Sequence, residues 1–249
     1  MVHISDGVLS LPVLAAGWAV TGVLLAVALW WSKRQGEGWE AEEIPRLSVM
    51  TAAFFVASLV HVPVGPTSAH FLLNGLLGVT LGILAYPAIF IGVLLQAVLF
   101  QHGGITTIGI NTANMGVAAL LASAVFKGGC RLARGRREGR EGREGREGRE
   151  GSEGSEGSEG SKGSEGSEGV AGIFGALAGG LAVFLAVVFT AVSLILSGGE
   201  EGTFTAVALA LAVAHVPIIL VETVVVGSVV VFLLKVKPEL VGGLGEGKR

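Results

Sequence analysis

Long uncharged apolar runs alternate along this chain with short polar segments. The runs fall at 12–31, 47–62, 71–84, 87–100, 113–126, 170–196 and 216–234, a pattern that predicts about seven membrane-spanning helices. A further apolar stretch at 204–214 is expected as a short outer helix or an extension of the last span. Backbone polar groups in a bilayer must be satisfied within the protein, so the expected fold class is all-α, a polytopic membrane helical bundle. Gly75, Gly78 and Gly82 in the third run, and Gly172, Gly175, Gly179 and Gly180 in the sixth, are expected to let helices approach closely.

Apart from Glu222 in the last run, charge lies outside the runs and sets an orientation. Lys33, Arg34 and Arg46 follow the first run, the basic segment 127–137 follows the fifth, and Lys235 and Lys237 follow the last. An odd number of spans puts all three clusters on the cytoplasmic side, with the N-terminus outside and the C-terminus cytoplasmic. Between the fifth and sixth runs lies a Gly-Arg-Glu and Gly-Ser-Glu repeat, at about 135–169, with glycine at every third position. It has no apolar residue to bury and is expected to be a disordered cytoplasmic linker. The chain then divides into 1–134, a first membrane part with an N-terminal tail and about five spans, the linker 135–169, and 170–249, with about two spans and a cytoplasmic tail.

Composition narrows the chemistry. Hydrophobic residues make up 51% of the chain and the mean hydropathy is +0.70, values that place it in a cell membrane, multi-pass, rather than in water. The single cysteine, Cys130, excludes an intramolecular disulfide framework and a cysteine-rich metal centre. No basic, aromatic-interleaved surface suggests nucleic acid. No His-Glu-x-x-His helix, nucleophile motif or Walker loop is present, so the chain is not expected to be an enzyme, and active transport would need a separate ATPase.

The five histidines, His3, His61, His70, His102 and His215, all fall at or near the outer face in this topology. Neutral imidazole suits nickel, cobalt, copper and zinc, while one cysteine and the methionines Met1, Met50 and Met115 offer little for copper(I). A histidine at position 3 lets a terminal amine, backbone amides and the imidazole close a square-planar nitrogen site, a geometry that favours nickel or copper(II). Two polar, Gly- and Pro-containing segments, 61–75 and 101–116, are predicted to lie at the same face as the tail. Asn74, Gln96, His102, Asn111 and Asn114 are candidates for orienting a ligand histidine or fixing a loop. His61 and Asp6 read as helix caps, Glu222 as an ionisable residue paired inside the bundle, and Trp18, Trp30, Trp31 and Trp39 as interfacial aromatics. A stand-alone metal channel or exporter, with outer histidines lining its entrance, is the alternative from another class.

These residues together resemble the NikM/CbiM family, the substrate-capture subunits of energy-coupling-factor (ECF) nickel and cobalt transporters. The resemblance is carried by His3-Ile-Ser-Asp-Gly-Val-Leu, Gly-Pro-Thr-Ser-Ala-His70, Gln96 with His102-Gly-Gly-Ile-Thr-Thr-Ile-Gly-Ile-Asn111-Thr-Ala-Asn114, and His215-Val-Pro with Glu222 and Lys237-Pro-Glu-Leu. It implies a seven-helix bundle whose N-terminal tail tucks inward and binds Ni2+ or Co2+ as cargo, with no resident cofactor. The implied ligands are the terminal amine, a histidine amide, the His3 imidazole and His70. It also implies partners: cytoplasmic ATPase subunits, a transmembrane coupling subunit and a small accessory membrane subunit. The family places histidine second, whereas Val2 intervenes here. If the initiator methionine is removed, Val2 supplies the amine. If Met1 stays, its amine joins the amides of Val2 and His3 and the His3 imidazole in one plane, leaving His70 axial or displaced.

Overall fold

The computed structural model describes residues 3–35, 43–64, 67–147, 159–198 and 203–241. Among them are seven α-helices: α1 (Leu11–Gln35), α2 (Glu43–Ala57), α3 (Asn74–Leu81), α4 (Ala85–Phe100), α5 (Ile108–Glu147), α6 (Glu159–Leu196) and α7 (Thr203–Val236). By length and composition, five helical runs can cross a membrane, and α2 is a shorter apolar helix. The 204–214 stretch extends the last helix, since α7 is continuous through Pro217.

Two of the expected spans, 71–84 and 87–100, differ from their sequence outline. Asn74–Phe100 is one helical stretch by length, yet the chain reverses inside it. The turn is a 3-10 segment, Gly82–Leu84, entered through Gly82 at φ 58, a left-handed conformation that glycine adopts without strain. Before the turn, Asn74 bonds Met115 and a Cβ on Gly82 would meet Lys127, so α3 runs alongside α5 in the same direction. After it, Tyr86 packs on Gly116 and the helix returns. All eight residues of α3 are buried, and it is less than half as long as the roughly 20 residues a full span needs. The seven-span expectation is therefore not carried by helix length alone.

The chain is not wholly helical either. Pro63 cannot continue a helix from α2, and an antiparallel hairpin of β1 (His61–Val64) and β2 (Thr67–His70) follows instead, with His61 opposite His70. His61 thus opens a strand rather than capping a helix.

Small residues set the packing. A Cβ on Gly75 would lie 2.8 Å from the Gly179 Cα, and one on Gly78 would strike the Ala119 carbonyl, so α3 wedges between α5 and α6 at backbone contact. Leu72, Leu77, Ile89, Met115, Val183 and Leu211 belong to the main apolar core around it. By contrast, α1 and α7 are largely exposed and apolar, with Leu11, Val23, Val224 and Phe232 on the outside, as lipid contact requires. The repeat expected to be disordered at 135–169 is helical backbone up to Glu147 and from Glu159, while 148–158 lie outside the described residues.

Candidate metal centre

The N-terminal tail is a strap without regular secondary structure that lies on the loop between α4 and α5. Ile4 is held at both of its backbone groups by one side chain: its N–H donates to Asn111 Oδ1 (2.9 Å) and its carbonyl accepts from Asn111 Nδ2 (3.0 Å). Thr107 Oγ1 donates to the same carbonyl at 2.6 Å. Asp6 accepts the N–H groups of Ile105 (3.0 Å) and Thr106 (2.9 Å) and the Thr106 hydroxyl. Those bonds hold its carboxyl below the usual carboxylate range, the Thr106 hydroxyl contributing most. Asp6 therefore clamps a loop about a hundred residues away, and does not cap α1 as its sequence position suggested.

Glycines make this seat possible. Gly103 sits at φ 83, and a Cβ there would press on His3 Cβ at 3.3 Å. One on Gly104 would collide with Asp6. Trp18, half exposed, braces the same loop by donating its indole N–H to the Thr106 carbonyl at 2.9 Å. Ile4 and Leu9 pack with Leu194 and fix the strap against the end of α6.

This strap delivers His3 to His70. The two rings stack at 5.2 Å between centroids with planes 20° apart, and both residues are 4% exposed. His70 Nδ1 lies 2.9 Å from the Phe71 carbonyl. A carbonyl only accepts, so Nδ1 carries the proton and Nε2 presents a lone pair. His70 Nε2 and both ring nitrogens of His3 have no hydrogen-bond partner among the described residues. Burial pushes both imidazoles down: His3 well below 6.5, with the neighbouring His70 adding to it, and His70 to about 4. Two neutral imidazoles with unused lone pairs, stacked and buried, cost free energy unless something binds them, about 1–3 kcal/mol per orphaned group.

The other end of this wall is α7. Glu222, fully buried, accepts the Leu72 and Leu73 N–H groups just after His70, at 3.0 and 3.1 Å for Leu73. Leu73 is left-handed (φ 47), so the carboxyl group holds a strained turn that the chain needs to enter α3. The pairing expected of Glu222 is with backbone amides.

The remaining candidates divide. Asn111 fixes the tail, as described. Asn74 donates to the Met115 and Ala182 carbonyls (both 3.3 Å) and locks α3 between α5 and α6. The Gln96 side chain donates to Ser58 at 2.6 Å, while its main-chain carbonyl accepts the Gln101 and His102 N–H groups at the end of α4. Asn114 ties α5 to α6 through Ser193, at 3.3 Å. His102 is half-buried beside Phe100 and near enough to His3 and His70 to oppose their protonation. Met1 and Val2 lie outside the described residues. Sequence reasoning missed Thr107, Gly103 and Gly104, whose only signal was a Gly-rich polar loop, and gave Asp6 the wrong partner. Among the described residues no three His, Cys, Asp or Glu side chains gather into a metal-holding group, so a site built on His3 and His70 needs ligands other than side chains of that kind.

Comparison with known proteins gives this arrangement a context. The family model CbiM, described as a cobalt uptake substrate-specific transmembrane region, matches residues 3–145 and 158–240. The chain is 28% identical to the cobalt transport protein CbiM of Sorangium cellulosum, across 97% of this chain and 95% of that one. It is 34% identical to the fused nickel transport protein NikMN of Rhodobacter capsulatus over 52% of this chain and 37% of the relative. A Haemophilus influenzae relative is 39% identical over half of this chain and 57% of its own length. The chain thus spans well under two thirds of the latter two. A crystal structure of a transition metal transporter superposes with a TM-score of 0.64 at 25% identity, covering 94% of this chain and 93% of that one.

Proposed function

The chain belongs to the CbiM family of cobalt-uptake substrate-specific transmembrane regions, and from that premise we propose that it captures Ni2+ or Co2+ at the stacked His3–His70 pair for uptake across the cell membrane. The observation that carries this reading is the pair itself: two buried, stacked imidazoles with unpartnered nitrogens, delivered by a strap that is tied to the α4–α5 loop and α5 through Ile4 and Asp6. Neutral imidazole is the ligand form for either ion.

The proposed ligand set is the His3 and His70 imidazoles together with tail nitrogens: the terminal amine of Val2 or Met1 and the main-chain amides that follow it. The need for ligands beyond histidine side chains favours such a set, because no third metal-binding side chain is gathered among the described residues. Planar nitrogen ligation leans to nickel. Asn111, Thr107 and Asp6 set the tail in register, and His102 adds to the pressure that keeps both rings neutral.

In the proposed topology the tail, the hairpin and the α4–α5 loop face outward and the C-terminus faces the cytoplasm. The ion sheds water, binds, and is released inward when separate ATPase subunits, acting through a transmembrane coupling subunit, reorient the bundle; a small accessory membrane subunit completes the proposed assembly. The test is isothermal titration of nickel, cobalt and zinc into the detergent-purified chain. Tight nickel or cobalt binding that disappears in both His3→Ala and His70→Ala is the expected result. Binding unchanged in both variants would remove the tail site from consideration.

A further inference from the structure

The mechanism above leaves one buried histidine unused. His215 on α7 is fully buried. Its Nδ1 lies 2.8 Å from the Leu211 carbonyl one turn back, which fixes the proton on Nδ1 and leaves Nε2 as a lone pair, the same tautomer that Phe71 imposes on His70. That Nε2 has no partner among the described residues. A leucine or phenylalanine would fill the space without orphaning a polar atom, so packing alone does not explain a histidine here.

Placement supplies the second half of the case. His215 and Glu222 are seven residues apart, two helical turns, and so share a face of α7. Glu222 binds the backbone of Leu72 and Leu73, two and three residues after His70, and α7 packs against β2 itself. Leu72 and Leu211 lie in one apolar cluster, with Ile218 and Ile219 against it. His70 also feels the charge that His215 would carry, so the two rings are within electrostatic reach across the α7–β2 contact. His215 stands roughly three turns into α7, whereas Ile4, next to His3, packs with Leu194 in the last turn of α6. Between His215 and Glu222 lies Pro217, which gives no N–H to the Val213 carbonyl and makes this the weak point of the helix.

We propose that His215 is a second ligand position for the transported ion, deeper than the tail, which takes the ion over from His3 while His70 holds it. The proposal rests on the capture reading and extends it. His3, His70 and His215 do not gather into one metal-holding group in this structure, so the three do not bind a single ion together here. His70 is the shared ligand: the strap meets it through the His3 ring, and α7 carries His215 behind it. Handing the ion to His215 frees the tail without exposing the ion to water, and the same helix that receives it is bonded to the backbone of the segment carrying His70.

Nickel titration of the purified full chain separates the two positions. In His3→Ala a weaker nickel site is expected to remain, and it is expected to vanish in His3→Ala/His215→Phe and in His3→Ala/His215→Asn. Phenylalanine keeps the volume and asparagine keeps polarity, so a folding defect in one leaves the other to decide. Introducing aspartate in place of His215, a different shape but still a ligand, should restore the weak site where asparagine does not. If the wild type binds nickel but His3→Ala binds none, or if the single and double variants bind alike, His215 is not a ligand, and capture at the tail stands without it. A wild-type chain that binds no nickel overturns capture and this inference together.

Discussion

The two stacked imidazoles are held by opposite kinds of structure. His3 rides on a strap with no regular secondary structure, fixed by hydrogen bonds to the α4–α5 loop, the first turn of α5 and the end of α6, several of them at exposed positions. His70 ends a strand whose exit is bonded by a fully buried carboxyl group on α7 and leads straight into a helix buried along its whole length. Local opening follows the number of buried contacts. The strap can therefore lift without disturbing the bundle, while His70 moves only when α7 does. A capture site made of one detachable ligand and one anchored ligand can admit an ion from outside and still pass it inward.

The sharpest way to break that contrast is to cut the anchor. Glu222→Leu leaves the Leu72 and Leu73 N–H groups buried without an acceptor and is expected to cost about 3 kcal/mol, since each lost bond carries its own desolvation penalty. Glu222→Gln retains one acceptor oxygen and should lose roughly half as much. Thermal unfolding in detergent reads the difference. Unchanged melting temperature and unchanged nickel binding in the leucine variant would mean that His70 is not anchored through α7.

Cutting the strap should give the reverse signature. Asn111→Ala removes both bonds to Ile4 and is expected to weaken tail docking by about 2 kcal/mol, which is about thirtyfold in nickel affinity. The melting temperature should hardly move, because α5 keeps its packing. Hydrogen exchange at Ile4 would rise in the same variant. A large fall in melting temperature would show that the strap is part of the core rather than a detachable arm.

How much of this was legible in the sequence follows from how local each feature is. Spans were readable because a bilayer forces long apolar runs, and the glycine-rich runs did mark close helix contacts. The break between α3 and α4 was read, but a few residues late, after 84: Gly82-Ile-Leu84 carries no polar break, and its turn depends on one glycine at positive φ. The hairpin was only half visible, as prolines that end a helix without saying what replaces it. Asp6, Thr107 and Gly104 act across about a hundred residues of chain, so no local pattern could pair them, and Asp6 was given a nearer partner for that reason. The meeting of His3 with His70 came from family resemblance, not from spacing. His215 and Glu222 carried a physical signal of their own, since polar groups inside an apolar run are expensive to bury.

Acid offers the gentlest test of the detachable arm, because it acts on the strap without a mutation. In the docked state burial holds the His3 imidazole well below its ordinary value of 6.5, and His70 at about 4. Once the strap lifts, His3 is in water and titrates near 6.5 again. The undocked state thus binds a proton that the docked state refuses, so docking is at full strength above about pH 6.5 and weakens as the pH falls toward the docked value. Each unit below 6.5 should cost about 1.4 kcal/mol from His3 alone, close to tenfold in the docked fraction. Hydrogen exchange of the metal-free tail between pH 7.5 and about 5 measures this directly, after correction for intrinsic exchange rates. A tail equally protected at both ends of that range would mean either that His3 stays out of water when the strap moves, or that the strap does not move. His3→Phe, with no titrating group, should flatten the profile, which ties any slope observed in the wild type to the imidazole itself.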